Sequence, residues 1–341
     1  MTIINEGEPR PVDEEGVVTS ITLGKSQGRL ILERFLHNWV AMTSLGIFLA
    51  VIILSVTSIG AFGIPGWWKY RYTDLATPLN GGAPTLSLIP TWLGGDGIHL
   101  GEHPFGQTLI GIDYFSMTMR GVQNSLIVMF IIGALVAVIG TVVGAVAGYY
   151  RGWVESVLMR FTDLVIVIPV IVLGAVVGKI ASEHFKGLGV LGLSLVLGLF
   201  LWTGLARLVR GEFLTLRERE YVDAARVSGA RDARIMFRHI LPNAVGVVIV
   251  ATTLIMAAAI LLETGLSYLG FGIRSPDVSL GLIISQNQTA FGTRPYLFLW
   301  PGVFIVIIAL TVNFIGDGLR DAFDPRQRKF VASRMKERDE K

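Results

Sequence analysis

The sequence predicts an all-α polytopic membrane protein. It has six transmembrane helices, a cytoplasmic helical hairpin and an extracytoplasmic loop after the first span. Three observations carry this. Of 341 residues, 52% are hydrophobic and only 16% charged, where a soluble domain carries about 25% charged residues. Uncharged apolar runs recur at the length of about 20 residues that a helix needs to cross hydrocarbon. Finally, 22 of the 29 Lys and Arg residues fall in alternate connections, namely 1–39, 149–160, 207–239 and 320–341. By the positive-inside rule that bias puts both termini in the cytoplasm.

Residues 1–39 form the first cytoplasmic segment. Its start, MTIINEGEPRPVDEEG, is acidic and polar. It lacks the basic start and short apolar run of a secretory signal, so no cleavage is expected. The first span, 40–62, lies between His37 and Lys69. The loop 63–120 is rich in Gly, Pro and aromatics and is expected to form a small cap with little regular structure. Trp67, Trp68, Tyr70 and Tyr72 fit an interfacial aromatic belt.

A core over 121–319 holds the other five spans, at about 124–148, 156–179, 187–206, 243–265 and 297–317, with the hairpin at 210–242. The tail 320–341 is cytoplasmic. Gly140, Gly144 and Gly148 are spaced by four, which places them on one face where another helix can approach closely. The third span is the shortest apolar run, 164–178 between Asp163 and Lys179. It reaches across if it starts near Ser156, with Arg160 and Asp163 at the interface and Lys179 snorkelling outward. Without it the count is five. Pro169 removes a backbone hydrogen bond there and is expected to kink the helix.

Several chemistries are excluded. The chain has no cysteine, hence no disulfide, thiolate nucleophile or cysteine-ligated metal. GLGVLG at 187–192 matches a dinucleotide fingerprint, with Glu212 twenty residues on, but no strand precedes it and a span follows. It reads as a flexible turn. LGKS at 23–26 is the tail of a phosphate-binding loop, but Thr19 stands where that loop needs glycine. There is no His-Glu-x-x-His site, and the five histidines are scattered. No catalytic residue, metal site or nucleic-acid surface is expected, and no cofactor on this chain.

Ionisable residues within spans are functional candidates by default. Glu263, in ILLETGLSYLG, is the best placed. At about 1.5 Å per residue it lies near the outer face, so a pathway or gate role stands beside simple hydration. Asn313 and Asp317 read as helix-end contacts.

The hairpin is the most informative stretch. RGEFLTLREREYVDAARVSG reads as one helix, broken at Ser228-Gly229. ARDARIMFRHI follows as a second, and Pro242 opens the next span. Physics leaves two readings: a basic helix on anionic lipid, or a docking element for a cytoplasmic protein. The interleaved Glu212, Glu218, Glu220, Asp223 and Asp232 weaken the first.

DAARVSGARDARIMFRHILPN resembles the EAA loop of ABC-importer permeases. Ala224, Ala225, Gly229, Leu241 and Pro242 fall in register. Asp223 replaces the usual Glu, and His239 stands where Ile is expected. AGYYRGWVESVLMRFTD, ARLVRGEFLTLREREYVDAAR, GLSYLGFG and GDGLRDAFDPR are similar to landmarks of the C-type permease of dipeptide and oligopeptide importers. One segment departs: the HPLGTD…GRD pattern is HPFGQTLIGID here, with Asp113 where the last acid stands.

The resemblance implies a heterodimer with a second permease subunit, two ATP-binding subunits that carry ATP and Mg, and an extracytoplasmic substrate-binding protein, all at a bacterial or archaeal cytoplasmic membrane. It implies coupling to the ATPases through Tyr221, Asp223, Ala224, Ala225, Gly229, Arg238, Leu241 and Pro242. Importers of nickel, oligosaccharide or glutathione share the architecture. An ion-coupled carrier or channel working alone is the alternative of another class, and a regulatory scaffold a third.

Overall fold

The computed structural model describes residues 27–61, 63–87, 91–93, 97–176 and 189–323. The LGKS segment, Lys179 and the chain beyond Phe323 lie outside them. Helix α1 (Gln27–His37) and α2 (Trp39–Ile59) are separated by Asn38, whose side chain caps α2 by accepting from the Ala41 N–H. A two-residue ribbon, β1 (Gly60–Ala61) against β2 (Ile64–Pro65), turns the chain into an irregular loop. Helix α3 then runs from Tyr114 to Tyr150.

After α3 come α4 (Gly152–Val167) and α5 (Val170–Val176). Helix α6 is Gly189–Leu216 and α7 is Glu220–Val227. One turn, α8 (Asp232–Arg234), leads through a π-helical segment (Ile235–Ile240) into α9 (Leu241–Tyr268). Helices α10 (Leu280–Asn287) and α11 (Tyr296–Phe323) complete the bundle.

Among the described residues five helices are long and apolar enough to cross a membrane. A sixth crossing is available if α4 and α5, bent by 72° at a short break, act as one. The break falls at Ile168-Pro169, where proline has no N–H to give to the helix. Chain direction orders the ends. Helix α3 starts beside the loop and ends beside the hairpin, α9 runs back to the loop end, and α11 returns. Tyr296 Oη donates to the Gly82 carbonyl at 2.8 Å at the loop end, and Arg34 on α1 reaches the Ala322 carbonyl at the other.

Helix α3 belongs to both apolar clusters. At the loop end its Tyr114, Phe115, Met119 and Val122 pack with Leu280, Ile283 and residues of α2 and α11. Nearer the hairpin its Val128, Ile132 and Val136 pack with Leu197, Leu205 and Val209 of α6 and with hairpin residues. In lipid, association is driven by close packing rather than by escape from water. Gly140, Gly144 and Gly148 face α6 at such a contact. A Cβ on Gly144 would lie 2.5 Å from the Ala206 carbonyl oxygen, and one on Gly148 would lie 2.6 Å from Phe213 Cβ.

Several boundaries differ from the sequence reading. Helix α3 starts at Tyr114, ten residues before the expected span and inside the expected loop, because Asp113 caps it by accepting from Ser116 N–H. Arg120, which marked the boundary, instead donates to Gln123 Oε1 and lies over the Tyr72 ring. Helix α4 begins at Gly152, with only Arg151 (φ 56°) separating it from α3. Asp163 and Glu155 on α4 pair with Arg207 and Arg210 on α6. Gly189 to Gly192 are already helical in place of the expected flexible turn, and the first two residues of GLGVLG lie outside those described. Helix α11 carries on to Phe323, past the expected start of the tail.

Candidate functional site

The hairpin is built in three pieces rather than two. The helix expected to run unbroken to Val227 stops at Leu216 and restarts at Glu220. Side chains pull the intervening turn apart: Arg217 Nη1 donates to the Tyr149 carbonyl, Glu218 pairs with Arg151 at 3.0 Å, and Arg219 is extended (φ −86°, ψ 143°).

Helix α7 closes in a Schellman motif. The Ala230 N–H reaches the Ala225 carbonyl at 3.1 Å, and the Gly229 N–H reaches that of Arg226 at 2.9 Å. Gly229 takes the left-handed conformation this needs, φ 76°. No atom lies within 4 Å of where its Cβ would be, so the surface beside it is open.

The return arm answers Pro242. Proline gives no N–H to the Arg238 carbonyl, and the backbone widens into a π turn just before it. Asn243 Nδ2 donates to the His239 carbonyl at 2.8 Å and, at 3.4 Å, to Tyr221 Oη, which joins the two arms. Partial burial raises the Tyr221 phenol above its ordinary pKa, so it stays neutral and keeps its proton.

The hairpin has two faces. Val222, Ile235, Met236 and Ile240 are buried in the cluster shared with α3 and α6, and Ala225 and Leu241 pack against that cluster. Tyr221, Asp223, Ala224, Gly229, Arg238 and Pro242 are exposed. Two exposed apolar residues join them that the motif did not single out, Val227 (90% exposed) and Phe237 (43%). Asp223 accepts from Arg226 at 3.0 Å. Every residue expected to couple therefore lies in one rooted element at one end of the bundle.

Glu263 lies elsewhere. Its side chain has no exposed surface, which overturns simple hydration. Ser267 Oγ donates to it at 2.7 Å and Ser125 Oγ, from α3, at 3.1 Å. Ser279, which caps α10, also contacts it. The carboxyl thus joins α9, α3 and α10, with no face on an open groove. Asn313 Nδ2 donates to the Ala309 carbonyl within its own helix.

The altered loop segment forms a second buried polar cluster. Asp113 accepts from Trp68 Nε1 at 2.9 Å and pairs with His103 Nδ1, and the Tyr70 ring lies 4.4 Å from that of His103. Trp68 also packs 4.7 Å from Phe115. Of the four expected belt aromatics, only Trp67 is exposed as a belt requires, at 57%. Trp68, Tyr70 and Tyr72 are turned onto the protein instead. Among the described residues no group of three or more His, Asp or Glu could hold a metal.

A membrane-crossing helical bundle, with a rooted hairpin offering a small-residue surface at one end, defines a polytopic permease subunit. The chain belongs to the inner membrane components of binding-protein-dependent transport systems, whose family profile matches residues 140–329. It is 38% identical over 307 residues to the oligopeptide transport system permease protein OppC of Mycobacterium tuberculosis, covering 89% of this chain and 96% of that one. With the protein of the same name from Haemophilus influenzae it shares 34% over 310 residues, or 89% and 90% of the two chains. Among solved structures, an inward-facing form of the MetNI methionine ABC transporter aligns at 21% identity with a TM-score of 0.49, covering 61% of this chain and 96% of that one.

Proposed function

We propose that this chain forms half of the translocation pathway of an ATP-driven importer of di- and oligopeptides. It pairs with a second, different permease subunit, and two ATP-binding subunits dock at the hairpin end. These partners hold ATP and Mg, and this chain is not itself an enzyme. An extracytoplasmic binding protein delivers the cargo at the loop end. Both termini then face the cytoplasm of a bacterial or archaeal cell, and lipid surrounds the outer helices.

The observation that carries the reading is the hairpin surface. Val227, Gly229 and Ala224 stand exposed on a motif whose other face is fixed in the core. Such a low-relief surface on a rigid root suits a protein groove, and its interleaved acids suit a lipid surface poorly. ATP binding would favour one of two states of the ATPase pair, and the hairpin would carry that bias to the helices. The relatives named as oligopeptide permeases support peptide as cargo.

Liposomes holding both permeases and both ATPases, supplied with binding protein and labelled oligopeptide, should take up peptide only with ATP and Mg. Uptake by this chain alone would instead establish a carrier or channel. ATP-driven uptake of nickel, an oligosaccharide or glutathione in place of oligopeptide would reassign the cargo and keep the mechanism.

A further inference from the structure

Beside the apolar packing of Val222, Ile235, Met236 and Ile240, three connections tie the hairpin to the rest of the chain. Two are covalent, and neither is regular α-helix. The first arm joins α6 through the break at Arg217–Arg219, and the second joins α9 through the π segment Ile235–Ile240. The third is Tyr149, in the last turn of α3. Tyr149 is only 6% exposed and touches both arms. Its hydroxyl donates to Asp232 Oδ1 on the second arm at 2.8 Å. The Arg226 guanidinium of the first arm lies 5.8 Å from its ring centre, and Arg217 at the break lies 5.9 Å away, both within cation–π range. Arg226 is held in turn by Asp223.

We infer that Tyr149 is a positioning residue: a strut that makes both arms of the hairpin one body with α3 and carries hairpin displacement into that helix. The inference rests on the coupling role proposed above. Motion entering at Val227 meets a non-α junction on each covalent route. Tyr149 bypasses both junctions, because it grips the arms directly. Helix α3 is in turn seated on α6 through Gly144 and Gly148, so a displacement of Tyr149 moves a close-packed pair of helices. The Tyr149–Asp232 hydrogen bond ends on a carboxylate, which makes it one of the stronger kind.

Two measurements on the full-length protein test this. In hydrogen exchange of the detergent-purified chain, Tyr149→Phe and Asp232→Ala, each of which deletes one partner of the bond, should each speed exchange of the 220–240 amides about tenfold. The double variant should match either single one, because both remove the same bond. In the reconstituted importer, both singles should assemble normally and hydrolyse ATP, while peptide delivered per ATP falls about tenfold. Tyr149→Leu, which also loses the ring, should fall further.

Unchanged exchange, or additive effects in the double variant, overturns the strut. Faster exchange with unchanged peptide per ATP overturns the transmission role, as does loss of assembly, which marks Tyr149 as purely structural. If the wild-type complex imports nothing, the proposed function fails, and the exchange measurement still decides the strut on its own.

Discussion

His103 and Asp113 close the eleven-residue segment HPFGQTLIGID on itself. His103 Nδ1 lies 2.7 Å from Asp113 Oδ1, with 4% and 2% of the two side chains exposed. The other carboxylate oxygen takes Trp68 Nε1 and the Ser116 N–H, so one aspartate fixes the loop, the stretch just after β2 and the start of α3. Gln107 fills the middle, accepting from the Leu79 N–H at 2.8 Å and donating to the Gly111 carbonyl at 3.1 Å. The segment that departs from the family pattern is thus a latch for the loop.

Asp113→Ala should therefore release the loop. It removes a helix cap and leaves buried donors on Trp68 and His103 without an acceptor, at a cost of roughly 2–4 kcal/mol. Limited proteolysis should cut within 63–113 while the helices stay intact. Equal resistance in wild type and variant would show that the latch holds nothing.

Glu263→Leu should destabilise the bundle by roughly 1–3 kcal/mol for each serine left without a partner. Glu263→Gln keeps an acceptor for Ser125 or Ser267 and should lose much less. The measurement is a thermal melt in detergent beside peptide uptake. A pathway role predicts a different pattern, with both variants stable and both defective in uptake. That outcome would place Glu263 on the translocation route.

The glycine face offers a paired test. Gly144→Leu drives a side chain into the Ala206 carbonyl and should cost about 1–3 kcal/mol. Gly204 sits on the helix facing it, with nothing within 4 Å of its Cβ position. Gly204→Ala should be neutral or slightly stabilising, because alanine is the better helix former. Equal melting of the two variants would mean that close approach of α3 and α6 contributes no stability.

What could be read from the chain follows from the range of each interaction. Spans were legible because hydrocarbon demands about 20 apolar residues in one run, and the hairpin because its charges interrupt such runs. Gly140, Gly144 and Gly148 were legible as a face because helical spacing is local. Contacts between distant residues were not. Trp68 meets Asp113 across 45 residues, Tyr149 meets Asp232 across 83 and Ser125 meets Glu263 across 138. The first of these holds the aspartate whose local cap on Ser116 starts α3, and Arg217 on the Tyr149 carbonyl accompanies the break before α7. The paired charges of α4 and α6 lay in view as two separate motifs, AGYYRGWVESVLMRFTD and ARLVRGEF, with nothing in either to say that Glu155 and Asp163 meet Arg210 and Arg207.

The coupling surface is open to direct test because the chain has no cysteine, so a single introduced thiol is unique. Val227→Cys places one at the most exposed apolar point of the hairpin, and a thiol-to-amine cross-linker there should capture an ATP-binding subunit. Gly229→Trp should abolish both capture and uptake, since it fills the open surface and forces a bulky residue to φ 76°. Asp223→Arg should do the same by setting a cation against Arg226. Both variants should still insert in the membrane, because neither touches a span. Wild-type capture and uptake in both would remove the hairpin from the coupling route. Loss of uptake with capture intact would separate seating the ATPase from transmitting its motion, and would place Asp223 and Arg226 with Tyr149 in the second of these.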